Sequence, residues 1–272
     1  MPEFDRAGAR LHYEIEGEGP LLVALHGFTG SAESFSGLAR ALRARRRVAR
    51  LDLLGHGRSG APLDPARYGV WEAAQDVLAL LDELGAPQAD VLGYSLGGRI
   101  ALRAALLSPR RVASLVVESA SPGIASEAER RRRRASDEDL ARLLDERGIA
   151  AFVDRWERVP LFATQARCPP ARLDSQRAQR LSQRPQGLAC SLRGAGAGQA
   201  DDIAPRLGEI AVPALLIAGA LDENYRELLQ GMAQRMRQAR CIAVRGAGHN
   251  VHFEKPRIYA RIVSEFLAQR AH

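Results

Sequence analysis

Ser95 stands in Gly93-Tyr94-Ser95-Leu96-Gly97, behind an apolar run that starts at Ala89 and ahead of a helical stretch from Ile100 to Leu107. Buried strand, glycine-flanked serine, helix is the order in which a hydroxyl becomes a nucleophile or a relayed base. The two glycines allow a turn sharp enough to lift the hydroxyl above the sheet. The helix then aims its first N–H groups, that of Leu96 included, at the space beside Ser95. Such a serine needs a base, and the base needs an orienting acid. Ala218-Gly219-Ala220-Leu221-Asp222 carries an aspartate just past one buried run, and Gly246-Ala247-Gly248-His249 a histidine just past the next. We read His249 as the group that takes the Ser95 proton and Asp222 as the acid that fixes its tautomer. Glu223 is the rival acid and His252 the rival base. His26-Gly27-Phe28-Thr29-Gly30 follows a further apolar run, and the Phe28 N–H is predicted to complete an oxyanion hole with that of Leu96. His26 is read as support for that loop, without a proton-transfer role.

These residues must be delivered by a sheet. Arg10–Glu16 alternates as a strand; Leu21–Leu25, Val48–Leu51, Val112–Val117, Ala214–Gly219 and Cys241–Val244 are short apolar runs. Helical spacing marks 31–45, Trp71–Leu84 and Ile258–Leu267. Strands alternating with helices predict the α/β class, with a mostly parallel central sheet covered by helices on both faces. The alternation stops between Ser121 and Pro205, where the chain is polar, arginine-rich and broken at Pro160, Pro169, Pro170 and Pro185. We therefore expect one discontinuous core, 1–120 and 205–272, carrying an inserted helical cap over 121–204. Gly194–Gly198 is predicted to be a flexible loop within the cap.

Composition narrows the function classes. The formal charge of +7 is almost all arginine, since Lys255 is the one lysine, and the arginines are interleaved with acids except at Arg130–Arg134. Without a basic-aromatic module, nucleic-acid binding is not expected. No apolar run reaches the ~20 residues of a membrane helix. The N-terminal sequence lacks a basic segment followed by an apolar one, so a cytoplasmic location is expected. Cys168, Cys190 and Cys241 suggest neither a disulfide framework nor a zinc site. We expect a monomer with no metal and no cofactor.

Longer motifs add a resemblance. Asp52-Leu53-Leu54-Gly55-His56-Gly57-Arg58-Ser59 resembles the D-x-P-G-x-G-x-S turn of the α/β-hydrolase superfamily, with Leu54 where proline is usual. The chain as a whole is similar to that superfamily, which implies the α/β-hydrolase fold. Glu129-Arg130, Arg133, Ser136-Asp137 and Phe152–Phe162 in the cap resemble one family within it, as do Arg180-Leu181-Ser182, Gly187-Leu188-Ala189 and Ser191–Gln199. That family is 2-succinyl-6-hydroxy-2,4-cyclohexadiene-1-carboxylate synthase of menaquinone biosynthesis. The resemblance implies elimination of pyruvate from a cyclohexene bearing a succinyl ketone and an enolpyruvyl ether. Ser95, relayed to His249, would abstract a ring proton, and the enolate oxygen would sit between Phe28 and Leu96. Arginine forks suit a polycarboxylate, and residue matching implies Arg133 and Arg180 as its binders, with Arg184 the rival of Arg180. Trp156 would wall the pocket. Tyr94 would either donate its hydroxyl to substrate or pack beneath the elbow, and Arg99 would add charge behind Ser95. Hydrolysis of esters, or of carbon–carbon bonds in ring-cleavage products, is the enzymatic alternative. A non-catalytic receptor on the same fold is the third class.

Overall fold

The computed structural model describes residues 2–269; Met1 and 270–272, where the predicted core segments begin and end, lie outside the described residues. The chain opens with β1 (Glu3–Arg6) and β2 (Ala9–Glu16), then β3 (Leu21–Leu25), a 3-10 turn at Ala32–Phe35 and α1 (Ser36–Leu42). Next come β4 (Arg47–Leu51), α2 (Val70–Glu83), β5 (Ala89–Tyr94), α3 (Leu96–Leu107) and β6 (Val112–Glu118). Helices α4 (Glu127–Trp156), α5 (Pro170–Leu181) and α6 (Pro185–Ala195) intervene before β7 (Ala214–Gly219), α7 (Glu223–Arg235), β8 (Ala239–Val244), α8 (Val251–Glu254) and α9 (Pro256–Ala268). The strands form an eight-stranded sheet in the order β1-β2-β4-β3-β5-β6-β7-β8. It is parallel from β4 to β8 and antiparallel at the β1–β2 and β2–β4 pairs. This is the predicted α/β-hydrolase architecture.

Strands β3, β5 and β7 are buried at every residue, as strands covered on both faces must be. One apolar layer joins the sheet to α2, α3 and α7 through Val77, Leu81, Ile100 and Met232. The other joins it to α1 and α9 through Leu38, Leu42, Val263 and Phe266. A third, smaller cluster ties α4 to α6 through Leu140, Leu144, Phe152, Leu188 and Leu192. α4 is interrupted at Gly148 (φ 72°, ψ −173°), and Pro170 and Pro185 open α5 and α6, where a missing N–H is harmless.

Two elements left no signal in the sequence and two expectations change. β1 has four residues, too few for a period to show, and α7 buries only Leu229 and Met232, too few apolar residues to mark a helical face. The helix predicted at 31–45 is a 3-10 turn followed by seven helical residues. Gly194–Gly198 is not a free loop. A Cβ on Gly194 would lie 2.0 Å from the Pro65 carbonyl oxygen, and one on Gly198 2.7 Å from the Arg134 nitrogen, so these glycines are seats for close packing.

The loops after β3 and β4 are locked by two enclosed histidines. His26 donates from Nδ1 to the Gly27 carbonyl (2.8 Å) and accepts the Leu53 N–H at Nε2 (3.0 Å). His56 donates from Nδ1 to the Leu54 carbonyl at 3.0 Å, and the two rings lie 5.1 Å apart. His26 therefore supports its loop by hydrogen bonds to both neighbours. Burial holds both rings neutral, lowering His26 and pushing His56 down to about 3. The unfolded chain protonates His56 below its ordinary value of 6.5, whereas the folded chain resists until about pH 3. Stability should therefore fall as pH drops through that window, by up to about 1.4 kcal/mol per pH unit from His56, with His26 acting in the same direction. Denaturant midpoints at pH 7, 6 and 5 check this, and His56→Gln should flatten the slope.

Candidate active site

Ser95 has φ 51° and ψ −108°, a left-handed conformation strained for a non-glycine residue. The strain has a visible cause. α3 begins at Leu96, immediately after Ser95 and four residues earlier than its predicted start, because it must turn back across the end of the sheet. A Cβ on Gly93 would lie 2.2 Å from the Gly97 carbonyl oxygen, and one on Gly97 would lie 2.1 Å from the Leu25 carbonyl oxygen. The Ser95 N–H donates to the Glu118 carbonyl at 2.8 Å, which ties the elbow to β6.

His249 Nε2 lies 3.4 Å from Ser95 Oγ, and its Nδ1 lies 2.8 Å from Asp222 Oδ2. The serine–histidine contact is long, as such contacts are before substrate arrives. Asp222 also caps α7, since its Oδ1 accepts the Tyr225 N–H at 3.4 Å. Capping and orienting are thus combined in one carboxylate. The histidine loop is held by Glu254, whose Oε2 accepts the Gly248 N–H at 2.9 Å. The rivals are engaged elsewhere. Glu223 is exposed and pairs with Arg226, while His252 donates from Nδ1 to the fully buried Glu118 at 2.8 Å.

Ser95, His249, Phe28 and Leu96 border a chamber of about 80 Å³. Leu96 is the first residue of α3, so its N–H has no intrahelical acceptor and is available to an oxyanion. Arg99, Arg133, Trp156 and Tyr94 line the same chamber. Arg99 is buried with Nη1 unpartnered among the described residues; burial lowers it to about 10, still a cation at neutral pH. Arg133 is nearly half-exposed and spends Nε on Asp137 (2.8 Å), leaving the rest of its fork available. Trp156 stacks on Phe152 (5.7 Å) and meets Phe28 edge-on (5.3 Å), with its indole N–H buried and unpartnered among the described residues. The Tyr94 ring packs beneath the elbow, 5.5 Å from the His249 ring and 4.8 Å from that of His252.

Arg180 is not brought to this chamber. It lies in the wall of the adjoining cavity, 5.4 Å over the Phe162 ring, with Nη1 bonded to Glu157 at 3.1 Å. The separation arises because α5 lies over the loop after β3, to which Gln179 and Gln183 bind through the Thr29 and Gly30 carbonyls. Arg184 is tied to the Ser59 carbonyl. Three residues escaped sequence reasoning. Tyr225 lines the chamber and meets the His249 ring edge-on at 4.6 Å; its position three residues past the capping Asp222 was the available signal. Glu254 and Glu118 act through loops and carried no motif.

A family model described as the alpha/beta hydrolase fold matches residues 20–256. A Bacillus subtilis protein, provisionally named 2-succinyl-6-hydroxy-2,4-cyclohexadiene-1-carboxylate synthase, is 40% identical over 261 residues, covering 94% of this chain and 95% of its own. The chain belongs to this synthase family of α/β hydrolases. A Salmonella typhimurium protein named as the same synthase is 31% identical over 87% of this chain and 89% of its own. Among solved structures, MenH from S. aureus superposes with a TM-score of 0.92 at 33% identity, covering 96% of this chain and 99% of that one.

The elbow makes a stability prediction. Gly97→Ala should lose about 3 kcal/mol, the upper end for overpacking, because the obstructing atoms are backbone. Gly37→Ala, in α1 with open space around it, should instead gain about 0.5–1 kcal/mol from helix propensity. Denaturant unfolding of the two variants checks both signs.

Proposed function

We propose that this protein is a cofactor-independent 2-succinyl-6-hydroxy-2,4-cyclohexadiene-1-carboxylate synthase, a carbon–oxygen lyase of menaquinone biosynthesis. The observation that carries the reading is the 40% identity, along 94% of the chain, to a relative named for that activity. Its substrate would be 2-succinyl-5-enolpyruvyl-6-hydroxy-3-cyclohexene-1-carboxylate, a small polycarboxylate, and no nucleic acid or membrane partner is invoked. No helix among the described residues is long and apolar enough to cross a membrane. Action as a cytoplasmic monomer belongs to the same proposal.

The chemistry needs a base, a place for an oxyanion and cations for carboxylates. Ser95, relayed through His249 to Asp222, takes the ring proton next to the succinyl carbonyl. The electrons of that C–H bond form an enolate, whose oxygen accepts hydrogen bonds from the Phe28 and Leu96 N–H groups. One such donor is worth ~3–4 kcal/mol in a preorganised site. Collapse of the enolate restores the carbonyl, shifts the ring double bond and breaks the ring C–O bond. The departing enolpyruvate is protonated to pyruvate. Arg99 and Arg133, on the chamber wall, offer charge to the substrate carboxylates, and Trp156 and Tyr94 bound its ring. Arg180 reaches the substrate in this reading from the adjoining cavity.

Purified protein given the enolpyruvyl substrate should release pyruvate well above the spontaneous rate, followed through a lactate dehydrogenase couple. Release at the spontaneous rate would overturn the reading. Ser95→Ala should lower the rate about 10³-fold while keeping substrate affinity, and Arg133→Ala should raise KM about tenfold. The same relay suits ester hydrolysis. Rapid cleavage of nitrophenyl esters together with inertness toward the enolpyruvyl substrate would replace the lyase with a hydrolase.

A further inference from the structure

The chamber around Ser95, at about 80 Å³, is far below the ~300 Å³ at which small-molecule sites begin. Beside it lies a second cavity of about 370 Å³. Phe28, Tyr94 and Phe162 border both spaces, so aromatic rings are what divides them. The roof of the larger cavity is α5, anchored at one side by Gln179 on the Thr29 carbonyl (3.0 Å) and at the other by Arg172 on the Phe253 carbonyl (2.9 Å). Its floor comes from α1 and α8.

The lining is cationic. Arg40, Arg172 and Arg180 face it against a single carboxylate, Glu33. Arg180 is almost wholly enclosed and bonds Glu157, whose other oxygen meets Arg177, itself also paired with Asp154. Arg40 and Arg172, set against Glu33 alone in the lining, leave the wall an excess of positive charge. His252 adds a polar edge, with Nδ1 held by Glu118 and Nε2 without a hydrogen bond among the described residues. A concave space with low-dielectric walls and one sign of charge concentrates counter-ions.

We propose that this larger cavity is an antechamber that binds a small carboxylate between Arg40 and Arg172 at its rim and Arg180 in its wall, on the path between solvent and Ser95 past Phe162. Naming that carboxylate as pyruvate, on its way out, rests on the elimination reading above; the site itself rests on the cavity and its charges. A carboxylate leaving Ser95 meets Arg180 first and the rim arginines last. Each handover exchanges one guanidinium partner for another, so the anion is never left unpaired in the narrow passage.

Calorimetric titration of the protein with pyruvate alone tests this without turnover, so its outcome is independent of the elimination assay. Wild type should bind one equivalent. The Arg40→Ala/Arg172→Ala variant should bind about tenfold more weakly, and Arg99→Ala should bind within about twofold of wild type because Arg99 faces the other chamber. Arg40→Glu changes one exposed residue of α1, which keeps the fold in place, and should weaken binding further than Arg40→Ala. Undiminished affinity in the double variant and in Arg40→Glu would overturn the proposal. So would loss of binding in Arg99→Ala alone, which puts the anion beside Ser95, or absence of binding in wild type.

Discussion

The candidate site depends on how closely α3 approaches the end of β3. With a Cβ at Gly97 the approach would be blocked at 2.1 Å by the Leu25 carbonyl. Without one, the start of α3 packs directly on the C-terminal end of β3, and the single residue between β5 and α3 absorbs the whole change of direction. That residue is Ser95, held at φ 51°. The same contact sets the Leu96 N–H beside the serine and brings the loop after β3, with Phe28, to the other side of the chamber. Strain in one residue is thereby exchanged for placing a hydroxyl at a helix terminus on the chamber wall.

Charge is arranged by pairing. Most buried arginines have structural partners. Arg46 bonds Asp90, Arg67 bonds Asp76, and Arg103, with no exposed side chain, bonds Asp201. Each guanidinium taken out of water keeps a carboxylate in contact, as burial of charge requires. Against that background Arg99 stands apart, buried beside Ser95 with one nitrogen unpartnered among the described residues. Arg180 bonds Glu157, which also meets Arg177, itself paired with Asp154. A net charge of +7 therefore says little by itself; the incompletely paired Arg99 and the arginines that line the cavities point to an anionic ligand.

The sheet was legible because parallel strands buried on both faces are near-continuous apolar runs, and β3 and β7 have the same limits in sequence and structure. The elbow was legible because only glycine tolerates its close contacts. The inserted helices were harder. Their apolar faces are narrow, and Arg133 and Arg180 look alike in sequence yet border different cavities, since α4 packs on α6 while α5 bridges to the loop after β3. Gly194–Gly198 misled for a related reason, because composition cannot distinguish a mobile glycine from one in contact with a neighbouring backbone.

By itself the sequence determined the α/β class, the strand order of events that delivers a serine, an aspartate and a histidine, and the family resemblance carried by the cap motifs. These rest on local periodicity and on residue types with narrow conformational or chemical uses. The tertiary structure decided that His249 rather than His252 meets Ser95, and that Asp222 rather than Glu223 meets His249. It also decided which arginines face which cavity, and that a second cavity exists at all. Those outcomes depend on distances between segments far apart in the chain. Only packing sets such distances, because a shift of one helical turn redirects a side chain without altering the pattern that predicts the helix.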